Sequence, residues 1–536
     1  MADEFEDARL APRGDELWDD EIEAKELKEK AERLDHSKRI DVHVWSEHPE
    51  VNSFVDKIYA DHYQARKVNI AKKHLKVVLL DLYVNWSNDP SLVTAFHRNK
   101  NAYKAASVYN ELHISPLIID VVDTLIDAGF VEQEKGFYNQ GDGSGRVARI
   151  WPTEKLIHLF QKARFSPFDV WFHGDRKLVV LRNRDDEDVE NDDVEYEPTS
   201  ETDAMEKRLA AYNDLLRHTF IDIPDLEEPF IRFESGKSKL PVNQHSKLVR
   251  RIFNRGSFEY GGRFWGGWWQ RASKECRGNI FINDQPTTEI DFSGFHIVML
   301  YGIEGINYWE ELKEDTYIID KPDFIDTEED CRSVVKGLML VLLNNPPDKS
   351  AFSAFRSKAE SGSFEKRLTN IQLGEIQRDI EAKHPKIKKY FGADAGVWLM
   401  NKDAQIAGMV IDEFTETGIP ILCVHDSFVV PVGHEDYLRE TMAKAFEKVV
   451  GVPMMPGSYE ALEEGNERIE DIWTRLNMTW MPYSNVPGRD EAEEDYRARV
   501  RPNKAERYRR QLQLFQDWLK SMGLRIQKRG IRLERI

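Results

Sequence analysis

The chain has 536 residues, 41% of them hydrophobic and 11% aromatic, which is room for two to four domains with sizeable cores. No apolar run reaches the length of a membrane span, and the acidic first 20 residues lack the apolar stretch of a signal peptide. Cys276, Cys331 and Cys423 stand far apart, against both a zinc-ligand spacing and a disulfide framework. A cytoplasmic protein with no membrane partner is expected.

The net charge of −20 is unevenly spread. Residues 1–35 hold 14 acidic and 6 basic side chains, and residues 185–206 hold 12 acidic and none basic. These two blocks carry the whole excess, so the rest of the chain is neutral and a nucleic-acid partner is not excluded. Like-charge blocks of this kind read as solvated tails and linkers.

In chain order, residues 1–40 read as an acidic tail. Residues 41–165 read as helix, helix, helix, then a hairpin. "HLKVVLLDLYVNWSND" is an apolar helix and "NAYKAASVYNELH" a short second one. "SPLIIDVVDTLIDAGF" has Ser115 as N-cap and Pro116 at the first helical position, and ends near Gly129. "FVEQEKGFYN" and "GRVARIWPT" alternate like strands around "QGDGSG". That order is the order of a winged helix-turn-helix, which sets a helix in the major groove and a hairpin beside the backbone. Arg98, Lys100 and Lys104 precede the recognition helix, and Lys135, Arg146 and Arg149 lie in or near the hairpin. These six are the candidate DNA-binding residues. The recognition helix itself has no Arg or Lys, and such domains also dock proteins.

Residues 166–255 read as a connector. It holds strand-like residues 166–184, the acidic linker and the amphipathic helix "AMEKRLAAYNDLLRHTF". Residues 481–536 are a basic C-terminal segment; the last 40 residues hold 13 basic and 3 acidic side chains, either a solvated tail or an element that tracks phosphates.

Residues 256–480 carry the chemistry. Four pieces follow in order: "FEYGGRFW" with Arg263, "TTEIDFSGFHIVMLYG" with Asp291 and His296, "CRSVVKGLMLVLLNN" with Arg332, Lys336 and Asn344, and "ILCVHDSFVVPV" with His425 and Asp426. The second and fourth are β-like runs with an aspartate where the run ends or turns. A buried carboxylate is costly unless paired or metal-bound. Two of them on neighbouring strands suit divalent cations shared with substrate phosphates. Arg332 and Lys336 stand at i and i+4 on one helix face, a pair of cations matched to a triphosphate. The sum describes phosphoryl or nucleotidyl transfer.

These motifs resemble the palm and fingers of family A DNA polymerases and of the related phage-type single-subunit RNA polymerases, over roughly residues 255–435. "DFSGFH" resembles motif A, "RSVVKGLMLVLLNN" motif B, "VHDSF" motif C and "EYGGR" the template-contacting motif. The resemblance implies an α+β fold with a right-hand polymerase palm-fingers core, which the winged-helix-like domain read above would precede. It implies catalysis by Asp291, Asp426 and Lys336, and two Mg²⁺ ions (Mn²⁺ as a substitute) on Asp291 and Asp426. Substrate binding falls to Arg332, His296, Asn344, His425 and Arg263. The implied partners are a DNA template, nucleoside triphosphates, and RNA as product or primer. The chain departs from the pattern at both sugar-reading positions, with His296 for the DNA polymerases' glutamate and Asn344-Asn345 for a tyrosine-glycine pair. The expected function is a compact DNA polymerase or primase-like replication protein of a mobile element or phage. The alternatives are a small RNA polymerase, favoured by the His-Asp-Ser form of motif C, and a non-catalytic winged-helix protein with a decayed palm. "RFWGGWWQ" reads equally as base-stacking surface or core, and "FIDTEED" as an acidic surface turn.

Overall fold

The computed structural model describes residue 25 and residues 28–63, 67–141, 143–183, 193–233, 239–292, 294–312, 314–346, 350–454, 480–481, 504–527 and 533–535. Most of the acidic tail, the first part of the acidic linker and much of the basic C-terminal segment lie outside the described residues. The fold is mixed α+β, with several small sheets. It divides into two compact units, residues 1–176 with 232–239 and residues 177–231 with 240–536. No helix of the described residues is long and apolar enough to cross a membrane.

The first unit contains β1 (Ser37–Arg39), α1 (Pro49–His62), α2 (Val68–Asn88), β2 (Val93–Phe96), α3 (Leu117–Asp127), β3 (Val131–Glu134), β4 (Phe137–Tyr138), β5 (Gly145–Arg146) and β6 (Ala148–Pro152). Leu75–Asn85 of α2 is buried on every side, so this helix is the unit's centre. The sheet runs β1-β2-β6-β3, with β6 antiparallel to both β2 and β3. Beyond it, β4 and β5 extend the hairpin. The helix expected over 101–113 is absent: only the 3₁₀ turn Lys100–Ala102 forms. The Asn110 amide donates to the Lys104 and Ile114 carbonyls, and its oxygen accepts from the Ile114 N–H. Such local side-chain bonds compete with a helical ladder.

Buried acids in this unit have partners. Asp81, on α2, accepts from the Asn85 amide at 2.9 Å, the Asp41 N–H at 3.1 Å and the Thr94 hydroxyl at 3.3 Å. Asp41 accepts from the His43 N–H and lies 3.6 Å from the Arg176 guanidinium. Burial disfavours the Asp41 carboxylate, but Arg176, His43 and Lys38 hold its pKa far below the usual range.

The second unit contains β7 (Val179–Arg182), α4 (Ser200–Arg217), β8 (Ile221–Asp222), β9 (Arg250–Phe253), β10 (Gly261–Trp265), β11 (Phe281–Ile282), β12 (Gln285–Asp291), α5 (Phe295–Ile303), α6 (Glu328–Asn344), α7 (Gly396–Thr417), β13 (Leu422–Val424), β14 (Ser427–Pro431), α8 (Glu435–Val450) and α9 (Glu506–Ser521). Its main sheet runs β8-β11-β12-β14-β13. A second sheet joins β7, β9 and β10, β7 parallel to β9 and β9 antiparallel to β10. The boundary expected at 255–256 therefore cuts a hairpin, and β7 belongs with the strands beyond the acidic linker. Trp268 and Trp269 are fully buried. The Trp269 indole donates to the Cys423 carbonyl at 3.0 Å, so these two rings are core beside β13, while the Trp265 ring lies against His425. The acidic stretch before α6 starts that helix: the Thr327 side chain caps it and Glu328, Glu329 and Asp330 fill its first turn, where the helix dipole favours negative charge. Nor is the described part of the C-terminal segment a solvated tail. Helix α9 buries Tyr508, Phe515, Trp518 and Leu519, and Arg507 forks onto the buried Asp222 at 2.6 and 3.0 Å.

Candidate active site

The run 421–432 is two strands and not one. Val424 pairs with Ser427 across a two-residue turn made of His425 and Asp426. His425 takes φ +60°, in the left-handed region, a conformation that costs a non-glycine residue about 1–2 kcal/mol. Its ring lies 4.3 Å from the Trp265 ring. Burial, then the nearby Arg263 charge, pushes its pKa down to about 4, so it is neutral near pH 7.

Asp291 ends β12, directly opposite Ser427. The Phe292 N–H reaches the Asp426 carbonyl at 3.4 Å, so the end of β12 is fastened to the turn. The chain then breaks into α5 at Gly294, which has φ +60° and lies where a Cβ would stand 2.4 Å from the Thr316 hydroxyl. Only glycine fits there. Asp291 and Asp426 thus share one cleft of about 330 Å³, with Lys274, Arg277, Glu289, His425 and Ser427 also on its walls. Burial raises the pKa of Asp291, and the Asp426 and Glu289 charges raise it further against Lys336 and Lys274. Burial also raises that of Asp426, with Arg263 opposing.

Two half-buried carboxylates whose charges oppose one another fit a divalent cation: hard oxygens, mutual repulsion that a cation relieves, and an open cleft for phosphate oxygens. Among the described residues, no group of three His, Cys, Asp or Glu side chains converges as a metal cage. Glu289 lines the same cleft, but its carboxylate is committed: Arg277 forks onto it with two 2.8 Å bonds, and the Ser427 hydroxyl donates at 2.7 Å.

Arg263 and His296 meet on one aspartate that the sequence did not single out. Asp403, on α7 and 1% exposed, accepts from the Arg263 guanidinium at 2.5 Å and from His296 Nε2 at 3.1 Å. Burial opposes its ionisation, but Arg263 and His296 outweigh that and hold the carboxyl below its usual range. All three act electrostatically on Asp426. Arg263, expected at the template strand, is bound within the protein.

On α6, Arg332 bonds Asp315 at 2.8 and 3.0 Å and lies 5.4 Å from the Tyr317 ring. Lys336, one turn on, is exposed and stands 5.9 Å from the same ring. Asn344 donates to the Leu340 carbonyl and covers Gly396, where a Cβ would overlap it.

In the first unit the six expected DNA-binding residues differ in availability. Arg98 is bonded to Gln133 at 2.8 Å and paired with Asp123 of α3. Arg149 donates to the Leu34 and Val147 carbonyls. Arg146 lies 3.9 Å from Asp35. Lys100, Lys104 and Lys135 are exposed. The outward face of α3 carries Asp120, Asp123 and Asp127, all exposed, which repel a phosphate backbone. A major-groove role for this helix is opposed by its own charge.

Sequence could have found Glu289, two residues before Asp291 and so on the same face of the strand. For Asp403, Asp315 and Tyr317 no spacing signal exists.

No protein-family model matches the chain. A protein of Aspergillus terreus described as the trans-enoyl reductase tazE is 27% identical over 130 residues, 24% of this chain and 42% of that one. A solved structure, the polymerase domain of Pol1 from M. smegmatis in complex with DNA primer-template and dNTP, is similar over 75% of this chain and 70% of that chain, at 13% identity and a TM-score of 0.27. A score that low carries no weight here, and neither comparison gives the chain a family.

Proposed function

We propose that the second unit is a template-directed nucleotidyltransferase, a compact DNA polymerase. The observation that carries this is one open cleft lined by Asp291, opposite Ser427 at the end of β12, and by Asp426 of the adjoining turn, with Lys336 of α6 acting on Asp291. Asp291 and Asp426 hold Mg²⁺, or Mn²⁺ in its place; when bound, such a pair of ions stabilises the attacking and leaving oxygens of an in-line displacement. Lys336 donates a proton to the departing pyrophosphate, and Arg332 grips the triphosphate, exchanging Asp315 for phosphate oxygens. His296, held by Asp403, stands where bulk restricts a 2′-hydroxyl. Asn344 offers a donor and an acceptor but is already bonded to its own helix. The first unit contacts the nucleic acid through its hairpin, where Lys135 and Arg146 lie. The His425-Asp426-Ser427 order keeps an RNA polymerase as the second reading; a decayed palm is disfavoured because both aspartates, Arg332 and Lys336 are intact.

The test is incorporation by the purified full chain with Mg²⁺, on primed and unprimed DNA templates, with labelled dNTPs and NTPs in parallel. Template-dependent dNTP incorporation on the primed template is expected. Preference for NTPs without a primer installs the RNA polymerase reading, and no incorporation of either kind removes both.

A further inference from the structure

The first unit holds two large rings out of its core. Phe137 is 56% and Tyr138 71% exposed, on the β4–β5 extension, where Phe137 pairs with Arg146 and Tyr138 with Gly145. The extension is a built one. The Asn139 N–H donates to the Ser144 carbonyl at 2.7 Å, the Gly143 N–H to the Asn139 carbonyl at 3.0 Å, and the Asn139 side chain accepts from the Gly141 N–H at 3.0 Å. At Gly136 a Cβ would stand 2.6 Å from the Arg146 carbonyl, and at Gly145 one would stand 2.9 Å from the Tyr138 ring. Each glycine lets a strand or a ring lie close.

Each ring therefore rests on the opposite strand and keeps a second face open. The Arg146 guanidinium lies 5.6 Å from the Phe137 centroid, and its buried Nε has no hydrogen-bond partner among the described residues. Lys135 is exposed two residues before Phe137. Neighbouring residues of a strand point to opposite faces, so the rings do not merge into the contiguous apolar patch that a protein partner favours. The two separate π faces, that of Phe137 with Arg146 against it and Lys135 on the same side of the strand, match stacked bases and their phosphates. The exposed aspartates of α3 turn a phosphate backbone away from the helix and leave the hairpin as the side of approach.

We infer that the hairpin tip binds single-stranded nucleic acid, with Phe137 and Tyr138 stacking on unpaired bases and Lys135 and Arg146 beside the flanking phosphates. This rests on the nucleic-acid contact proposed above for the hairpin but is tested apart from the polymerase assignment, because none of these residues belongs to the cleft of Asp291 and Asp426.

The experiment uses the full chain and two fluorescent ligands, oligo(dT) and a duplex of equal length, followed by anisotropy at one salt concentration. Stacking losses predict an oligo(dT) affinity lower by about 10-fold or more in F137A/Y138A, with duplex affinity within about twofold of wild type. F137L/Y138L keeps apolar bulk without a ring face and should lose as much. Ultraviolet cross-linking of oligo(dT) to wild-type protein should label the peptide around residues 137–138. Unchanged oligo(dT) affinity in F137A/Y138A, retention in F137L/Y138L alone, equal loss on duplex, or cross-links only elsewhere would each overturn the inference.

Discussion

Both units bury aspartates, and they do so in opposite ways. Asp41 and Asp81 of the first unit are surrounded by donors: Arg176, backbone N–H groups, Asn85 and Thr94. Asp291 and Asp426 of the second line one open cleft, where the Asp426 charge acts on Asp291 and Glu289 adds a third negative charge. At Asp41 the surrounding charges and donors outweigh burial and keep the carboxylate ionised, which is how a protein that needed only stability would satisfy it. Leaving a pair opposed costs stability, and such a cost is characteristic of sites where charge is to be supplied by a ligand.

The sharpest way to break this contrast is to neutralise each kind of acid. D291N and D426N should each lower nucleotide incorporation by at least the about 10²–10³-fold seen when one charge-stabilising group is lost. Their unfolding midpoints in urea should equal or exceed that of wild type, because an unfavourable burial is relieved. A loss of stability in either variant would make the pair structural. K336A should lower turnover by about 10²–10⁴-fold if Lys336 is the general acid, and single-turnover rates at saturating nucleotide check it. An effect confined to KM would reassign Lys336 to binding alone.

The paired acids should behave in reverse. Removing one member of a buried charge pair costs about 3–5 kcal/mol, so D403A, which strands Arg263 and His296, should lose about that much in urea unfolding. A loss under about 1 kcal/mol would show that the trio contributes little to folding. The smallest effect concerns Asp81, whose carboxyl is pushed up to about 6 by burial, against Lys38 and the Asp41 N–H. An unfolded aspartate titrates near 3.9. Between about pH 4 and pH 6 the folded unit keeps a proton that the unfolded chain has released, so this contribution is full below pH 4 and is lost as pH rises to 6. D81N should flatten that slope, read from amide exchange along α2 at several pH values after correction for intrinsic exchange. A slope unchanged in D81N would assign it to another group.

How far the sequence carried is clear from particular places. Strand β12, helix α6 and the strands β13 and β14 were legible because each has a strong period and a polar residue where the period breaks. The turn at His425 and Asp426 was harder, since a two-residue reversal inside an apolar run looks like one strand until the register is known. The helix expected over 101–113 failed because Asn110 bonds its own neighbourhood, an effect that periodicity does not register. Asp403 was invisible for a different reason: a polar residue in a long helix declares itself only when Arg263 and His296 arrive from 140 and 107 residues away. Availability was illegible too. Arg98 and Arg149 count as basic residues in a sequence, yet in the fold they bond to the protein itself.

The central claim is that Asp291 and Asp426 together bind a divalent cation, and iron-directed cleavage tests it without relying on turnover. The full chain is loaded with Fe²⁺ in place of Mg²⁺ and exposed to ascorbate and peroxide, and the backbone cuts are mapped by mass spectrometry. The account predicts cuts clustered near residues 291 and 426, suppressed by excess Mg²⁺ and absent in D426N. Cuts that persist in D426N, or that fall elsewhere in the chain, would contradict it.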